Sequence, residues 1–229
     1  MKKTVLLFGS SSDLAKSFYN LYNKNYNLIR ISCTDSSADF SLKEYSEKEL
    51  TQLVNDISSI NKISGAIIFN GIGRSGYIGL IPFEKVQAMV NINLTIPYLI
   101  MHVLTSIFQK QKFGHLLVIG SVAGLKYSPK YAMYSATKFA LRALVEAYRN
   151  EVQDYGIKVS LIQAGFIETK FWNTFGENET NFNYDKKISI LPDDVSETLN
   201  FCLESTNKCV VNELTCRSVY QERWCNLQV

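Results

Sequence analysis

Short apolar runs recur along the chain, separated by longer segments whose apolar residues fall three or four positions apart. Val5–Phe8, Leu28–Ser32, Ala66–Phe69, His115–Gly120, Lys158–Gln163 and Lys208–Val211 are brief, largely apolar and often β-branched. That pattern predicts strands covered on both faces, because a strand with one wet face alternates instead. Leu14–Asn23, Lys43–Ile60, Phe83–Gln109, Tyr131–Tyr155 and Pro192–Glu204 are long enough for helices and carry apolar stripes. Strand and helix alternate, so the expected fold is α/β: a doubly wound parallel sheet in one domain over residues 1–229. Right-handed crossovers then put helices on both faces, and ligands sit beyond the carboxyl ends of the strands.

The stretch 166–190 breaks the alternation. It sets Phe166, Phe171, Trp172, Phe175, Phe182 and Tyr184 among polar residues and Gly176. Long loops in compact domains are often functional, which predicts a substrate lid; a surface excursion with some buried aromatics is the plainer alternative.

Composition narrows the classes. The formal charge is +3 over 229 residues, and no basic run exceeds two, so nothing favours nucleic acid. Met1-Lys2-Lys3 before Val5–Phe8 imitates a signal peptide, but the apolar run is too short and Gly9 with three serines ends it. No apolar run approaches the ~20 residues that span a bilayer, so no membrane is expected. Cys33, Cys202, Cys209, Cys216 and Cys225 lack C-x-x-C spacing and read as reduced thiols of a cytoplasmic protein. With His102 and His115 unpaired in sequence, no metal is expected.

Chemistry-bearing residues collect at the predicted carboxyl ends. The first strand runs into Gly9-Ser10-Ser11-Ser12-Asp13-Leu14-Ala15. Glycine permits a tight turn, and small hydroxyl residues let backbone N–H groups approach a pyrophosphate at a helix N-terminus. Asp13 can alternatively cap that helix. Asp39, followed by Phe40, offers a carboxylate to an adenine amine, and Phe69-Asn70-Gly71-Ile72-Gly73 leaves room for an adenosine. Asn93 is an amide inside a long apolar helix. Tyr134-Ser135-Ala136-Thr137-Lys138 places a phenol and an ammonium on one helix face. The cation favours the phenolate and so lowers the tyrosine's pKa towards neutrality. Ser121, thirteen residues earlier at a strand end, can hold a carbonyl oxygen beside the phenol.

In this order, these residues resemble the classical short-chain dehydrogenase/reductase family over nearly the whole chain, from Val5 to about Arg217. Ala164-Gly165-Phe166-Ile167-Glu168-Thr169 and Leu191-Pro192-Asp193-Asp194-Val195 add to the likeness. The resemblance implies a Rossmann-type, three-layer α/β/α fold and NAD(P)-dependent interconversion of a carbonyl and an alcohol. Tyr134 would be the acid or base, and Lys138 would tune it and bind the nicotinamide ribose. Ser121 would polarise the carbonyl, and Asn93 would hold a water linking Lys138 to solvent. Gly9, Ser11, Ser12, Asp13, Leu14, Asp39, Phe40, Asn70 and Gly71 would take the rest of the cofactor, with Ile167 and Thr169 at the carboxamide. The family's second and third glycines are here Asp13 and Ala15, and the proline before Gly165 is Ala164.

An NAD enzyme usually carries a carboxylate at the end of the second strand. Here that end reads Arg30-Ile31-Ser32-Cys33-Thr34, where Arg30, Ser32 or Thr34 can tolerate a 2′-phosphate, so NADP(H) is favoured over NAD(H). The expected substrate is a small-molecule or carrier-linked carbonyl, which makes the protein a ketoreductase. Lys170, Lys186 and Lys187 are either solvated or contacts for an anionic carrier. A homodimer or homotetramer is expected through the two long helices, by likeness to the family. The alternative of another class is a nucleotide-binding sensor or structural protein on the same fold; a sugar epimerase is a third possibility.

Overall fold

The computed structural model describes residues 2–175, 188–206 and 208–221. Its sheet has seven parallel strands in the order β3-β2-β1-β4-β5-β6-β7: β1 (Thr4–Phe8), β2 (Asn27–Ser32), β3 (Phe40–Ser41), β4 (Ile63–Ile68), β5 (Gly114–Ile119), β6 (Ile157–Ala164) and β7 (Glu213–Cys216). Helices α1 (Asp13–Tyr22) and α6 (Pro192–Leu203) cover one face. Helices α2 (Glu47–Ile60), α4 (Ile96–Gln111) and α5 (Ala132–Val152) cover the other. Alternation along β1 shows why both faces are apolar: Leu6 and Phe8 join the α2/α4/α5 core, while Val5 and Leu7 join the α1/α6 core.

The helix starts follow local chemistry. Ser12 caps α1 by accepting from Ala15 N at 3.2 Å, and Ser46 caps α2 by accepting from Glu49 N at 3.3 Å. Asp194 in the first turn of α6 accepts from Leu191 N at 2.7 Å. Capping by Ser12 leaves the Asp13 carboxylate for another use, so Asp13 is the first residue of α1 and not its cap.

Three elements differ from expectation. The last strand lies at Glu213–Cys216, downstream of the apolar Lys208–Val211, because it is a half-exposed edge strand without a continuous apolar run. The two-residue β3 pairs Phe40 with Ile31 and was too short to leave a pattern. The single helix expected over Phe83–Gln109 is divided into α3 (Phe83–Val90), a π turn (Asn91–Thr95) and α4. This continuous run, Phe83–Gln111, is long and apolar enough by length and composition to cross a membrane, contrary to the expectation of no such stretch. Its apolar residues Ile100, Met101, Leu104, Ile107 and Phe108 are instead buried in the core against the sheet.

Candidate active site

A cavity of about 860 Å³ opens beyond the carboxyl ends of β1, β4, β5 and β6. Ser11, Ser12, Asp13 and Leu14 line it from the β1–α1 turn, and Asn70 and Gly71 from the end of β4. Ser121, Tyr134 and Lys138 line its middle, with Ile167 and Thr169 beyond β6. Gly9 and Asn93 stand behind this wall. Gly9 has φ +75°, and a Cβ there would come within 2.9 Å of Asn70 N, so the turn requires glycine. Its N–H is shared between Ile31 O at 3.1 Å and the Tyr45 hydroxyl at 3.0 Å.

Asp39 and Phe40 do not line the cavity. Because Phe40 pairs with Ile31, Asp39 precedes β3 and sits level with Arg30, away from the carboxyl ends. Its carboxylate accepts from Arg30 N at 2.8 Å and from the guanidinium at 3.2 and 3.3 Å. Arg30 also donates to Ser37 O at 2.8 Å and lies 4.7 Å from the Tyr19 ring centroid. Both groups expected at the adenosine end are thus spent on each other. What the end of β2 does present is a hydroxyl pair, Thr34 Oγ1 donating to Ser11 Oγ at 2.9 Å. The Asp35 carboxylate is turned onto Ser37, accepting from its N at 2.9 Å and its hydroxyl at 2.7 Å.

Tyr134 and Lys138 share the inner face of α5, as their four-residue spacing requires, and both are buried. Lys138 Nζ lies 5.9 Å from the Tyr134 ring centroid and donates to Ile119 O at 3.3 Å. Burial pushes the Tyr134 phenol up to about 12, against the downward pull of its hydrogen bond with Ser121. Burial brings the Lys138 ammonium down to about 8. The expected lowering of the tyrosine by the lysine is not what sets its state: burial raises the phenol and only the Ser121 hydrogen bond opposes it. At neutral pH the pair is a protonated phenol beside a mostly charged ammonium, which is the proton-donating form.

Asn93 is fully buried in the π turn. Its Oδ1 accepts from Ile72 N at 2.8 Å, while Nδ2 donates to Ile72 O at 2.9 Å and to Thr137 Oγ1 at 3.1 Å. The amide thus clamps the loop after β4 onto α5. A π turn displaces one residue from the helical register, a device often found at functional positions. Lys138 Nζ and Asn93 Oδ1 converge on Gly71, where a Cβ would lie 3.6 and 3.8 Å from them.

Of the expected lid, residues 176–187, with Phe182, Tyr184, Lys186 and Lys187, lie outside the described residues. The described part forms a 3-10 turn, Lys170–Phe175, that covers Tyr134. The Phe175 ring packs edge-on to Tyr134 at 5.5 Å, with Phe171 at 6.2 Å. Thr174 Oγ1 accepts from Gly73 N at 3.1 Å, and Asp13 accepts from Lys170 N at 2.7 Å. The aspartate that stands where the family has a glycine therefore ties the β1–α1 turn to the 170–175 turn across the cavity. Residues that the sequence did not single out also line the cavity: Lys16, Lys126, Ser128, Thr215, Arg217 and Gln221. Only their place in the fold reveals them. Gln163 and Thr137, which position Ser121 and Asn93, carried a fainter signal, being polar residues inside apolar patterns.

The residues present suit a nicotinamide dinucleotide. A cavity of this volume is within the range that takes cofactors. The N-terminus of α1 faces it, and Asn70 Oδ1 is buried there with no partner among the described residues.

Comparison with known proteins agrees with this geometry. The family model for short chain dehydrogenases matches residues 10–180. An uncharacterized oxidoreductase of Listeria innocua is 30% identical over 179 residues, covering 76% of this chain and 71% of its own. Another, of Staphylococcus saprophyticus, is 24% identical over 234 residues, covering 94% and 95%. Among solved structures, ElxO with bound NADP superposes with a TM-score of 0.82 at 20% identity, covering 97% of this chain and all of that one. A 3-ketoacyl-(acyl-carrier-protein) reductase from Brucella melitensis in complex with NADH gives 0.83 at 17% identity, covering 96% and 98%. At such identities the structures speak for the fold, and the sequence matches speak for the family. The chain belongs to the short chain dehydrogenases and is an NAD(P)-dependent oxidoreductase.

Proposed function

We propose that this protein is an NADPH-dependent ketoreductase that turns a small or carrier-linked ketone into an alcohol. The observation that carries the reading is the buried Tyr134 phenol, protonated at neutral pH, opening with Lys138 and Ser121 onto one cavity. A bound reduced nicotinamide supplies the hydride. The protein's part is the proton. Ser121 donates a hydrogen bond to the carbonyl oxygen, and Tyr134 gives its hydroxyl proton to that oxygen as the alkoxide forms. The Lys138 ammonium stabilises the phenolate left behind. A water in the space between Lys138 Nζ and Asn93 Oδ1 would return the proton from solvent, so Asn93 acts both as clamp and as relay.

Ser11, Ser12, Asp13 and Leu14 would meet the pyrophosphate, Asn70 and Gly71 the adenosine side, and Ile167 and Thr169 the carboxamide. NADPH is favoured because no carboxylate from the end of β2 lines the cavity, whereas Ser11 and Lys16 do. Phe166, Phe171, Trp172 and Tyr131 line the other end and suit an apolar or ring-bearing substrate. Unpaired Cys33, Cys202, Cys209 and Cys216 fit a cytoplasmic setting. Exposed Tyr98 on α4 and Phe139 on α5 fit a homodimer or homotetramer through those helices.

Titration with NADPH and, separately, NADH, followed by nicotinamide fluorescence, tests the reading. Tighter binding of NADPH, with turnover of a ketone panel, is the expected result. Binding of neither would remove the reductase reading and leave a sensor or structural role.

A further inference from the structure

Gln163, the penultimate residue of β6, is fully buried. A buried glutamine is uncommon, and this one is only half satisfied: Oε1 accepts from Ser121 N at 2.8 Å, while Nε2 has no partner among the described residues. A leucine or methionine would fill the same volume without an orphaned amide. The retained glutamine therefore points to a task for Oε1.

The strand geometry shows that task. The ladder between β5 and β6 carries one last bond, Gly120 N to Ile162 O at 2.8 Å. On its other side β6 bonds to β7 through the alternate residues, from Leu161 N donating to Asn212 O at 3.0 Å to Gly165 N donating to Cys216 O at 2.8 Å. The N–H of Ser121, one residue past that bond, meets no backbone carbonyl among the described residues, yet Ser121 keeps extended backbone at φ −160° and ψ 151°. Gln163 Oε1 takes that N–H and so holds Ser121 in place just past the strand end. It approaches so closely that a Cβ on Gly120 would overlap it, which accounts for glycine at that position. Ser121 Oγ in turn accepts from Ala123 N at 3.1 Å. With the backbone held from one side and an oxygen lone pair from another, the hydroxyl proton is left to face the Tyr134 phenol at the cavity wall.

We propose that Gln163 is a positioning residue for carbonyl reduction: its Oε1 fixes the Ser121 backbone so that the Ser121 hydroxyl stays opposite the Tyr134 phenol. It touches neither substrate nor cofactor and acts only through Ser121. The inference rests on the ketoreductase reading for its kinetic consequence and on the Ser121 N–H bond for its structural one, so each half has its own readout.

Two near-isosteric variants separate the acceptor from mere packing. Gln163→Met fills the space but accepts nothing. Gln163→Glu keeps an acceptor oxygen, at the risk of ionising. Steady-state kinetics use NADPH with ethyl acetoacetate or whichever panel ketone the wild type reduces; thermal melting and NADPH affinity are measured alongside. For Gln163→Met the expected result is kcat down about 10- to 100-fold, since misplacing a reacting group by an ångström has that order of effect. NADPH affinity should be unchanged and the protein folded. For Gln163→Glu, which keeps an acceptor in either ionisation state, kcat should stay well above that of Gln163→Met and come nearest wild type at low pH; a fall as the side chain ionises would come from a charge placed beside the site, not from a lost acceptor. The site's other ionisable groups, Tyr134 and Lys138, are common to all variants, so this new limb belongs to position 163. Hydrogen exchange of the Ser121 amide, slow in the wild type and in Gln163→Glu at low pH, should quicken in Gln163→Met. Turnover of Gln163→Met within twofold of wild type, or equal losses in both variants at every pH, would overturn the proposal. Wild type that binds NADPH but reduces no ketone would defeat the ketoreductase reading instead. Unchanged exchange at Ser121 in Gln163→Met would then still refute the positioning role.

Discussion

At the opposite ends of β5 and β6 lie two buried pairs of the same kind, each a titratable ring against a serine hydroxyl. At the carboxyl end, the Tyr134 phenol meets the Ser121 hydroxyl beside Lys138. At the amino end, His115 Nε2 meets Ser160 Oγ at 2.8 Å, with Lys158 and Lys3 near enough to act on the imidazole. Each pair couples a titratable ring to a serine near lysine, and each ring is almost fully buried. They differ in what they open onto. Tyr134 and Ser121 line the 860 Å³ cavity; His115 and Ser160 lie outside its lining. Burial and a hydroxyl partner therefore do not make a site. Position at the carboxyl ends of the strands, where the chain splays apart, does.

The largest expected break in this comparison is Tyr134→Phe, which should lower kcat by about 10²- to 10⁴-fold with cofactor affinity kept. The matching change at the other pole, His115→Gln, should leave kcat within twofold. Equal turnover in wild type and Tyr134→Phe would end the acid role. Next comes the pH dependence of reduction. The Lys138 ammonium titrates near 8, so activity should fall as pH rises through that value, while Tyr134, near 12, stays protonated. Lys138→Arg cannot lose its charge in this range, so a surviving limb near pH 8 would assign it to another group.

The amino-end pair sharpens the contrast through stability. Burial and the two lysines pull His115 down to about 3. The folded protein holds it neutral while the unfolded chain protonates it near 6.5. Its contribution is complete above pH 6.5 and shrinks as pH falls towards 3. Between pH 6.5 and 5 this amounts to about 2 kcal/mol. Urea unfolding of His115→Gln should show a flatter pH slope over that interval; an unchanged slope would mean that other groups carry it. The smallest expected effect is at Arg30–Asp39, a part-exposed pair at 3.2 Å. Asp39→Asn should cost less than about 1 kcal/mol and leave cofactor affinity unchanged. A marked loss of affinity would return Asp39 to the adenosine site.

The same contrast explains what the sequence could show. Tyr134 and Lys138 were legible because their relation is local: four residues on a helix share a face whatever the rest of the chain does. Ser121 and Gly9 were legible because they end apolar runs, and strand ends are where ligands gather. The pairing of Asp39 with Arg30 was not legible because it depends on which end of β3 Asp39 occupies, and a two-residue strand leaves no periodicity from which to set a register. β7 was displaced upstream because Cys209-Val210-Val211 is more apolar than the edge strand itself. The Asp13–Lys170 bond joins residues 157 positions apart, and no local pattern encodes it.

The π turn at Asn91–Thr95 has a consequence for how this chain can vary in length. A wider turn amounts to one residue inserted into an α-helix, and each residue of an α-helix advances about 100°. Removing one residue from 91–95 would let α3 and α4 merge into a single regular helix. Either α4 would then rotate and turn Ile100, Leu104 and Ile107 away from the sheet, or the apolar face would stay and Asn93 would swing off Ile72 and Thr137. Lineages of this protein can therefore lose or gain residues in surface loops far more cheaply than within these five positions, where one deletion exchanges the core for the clamp.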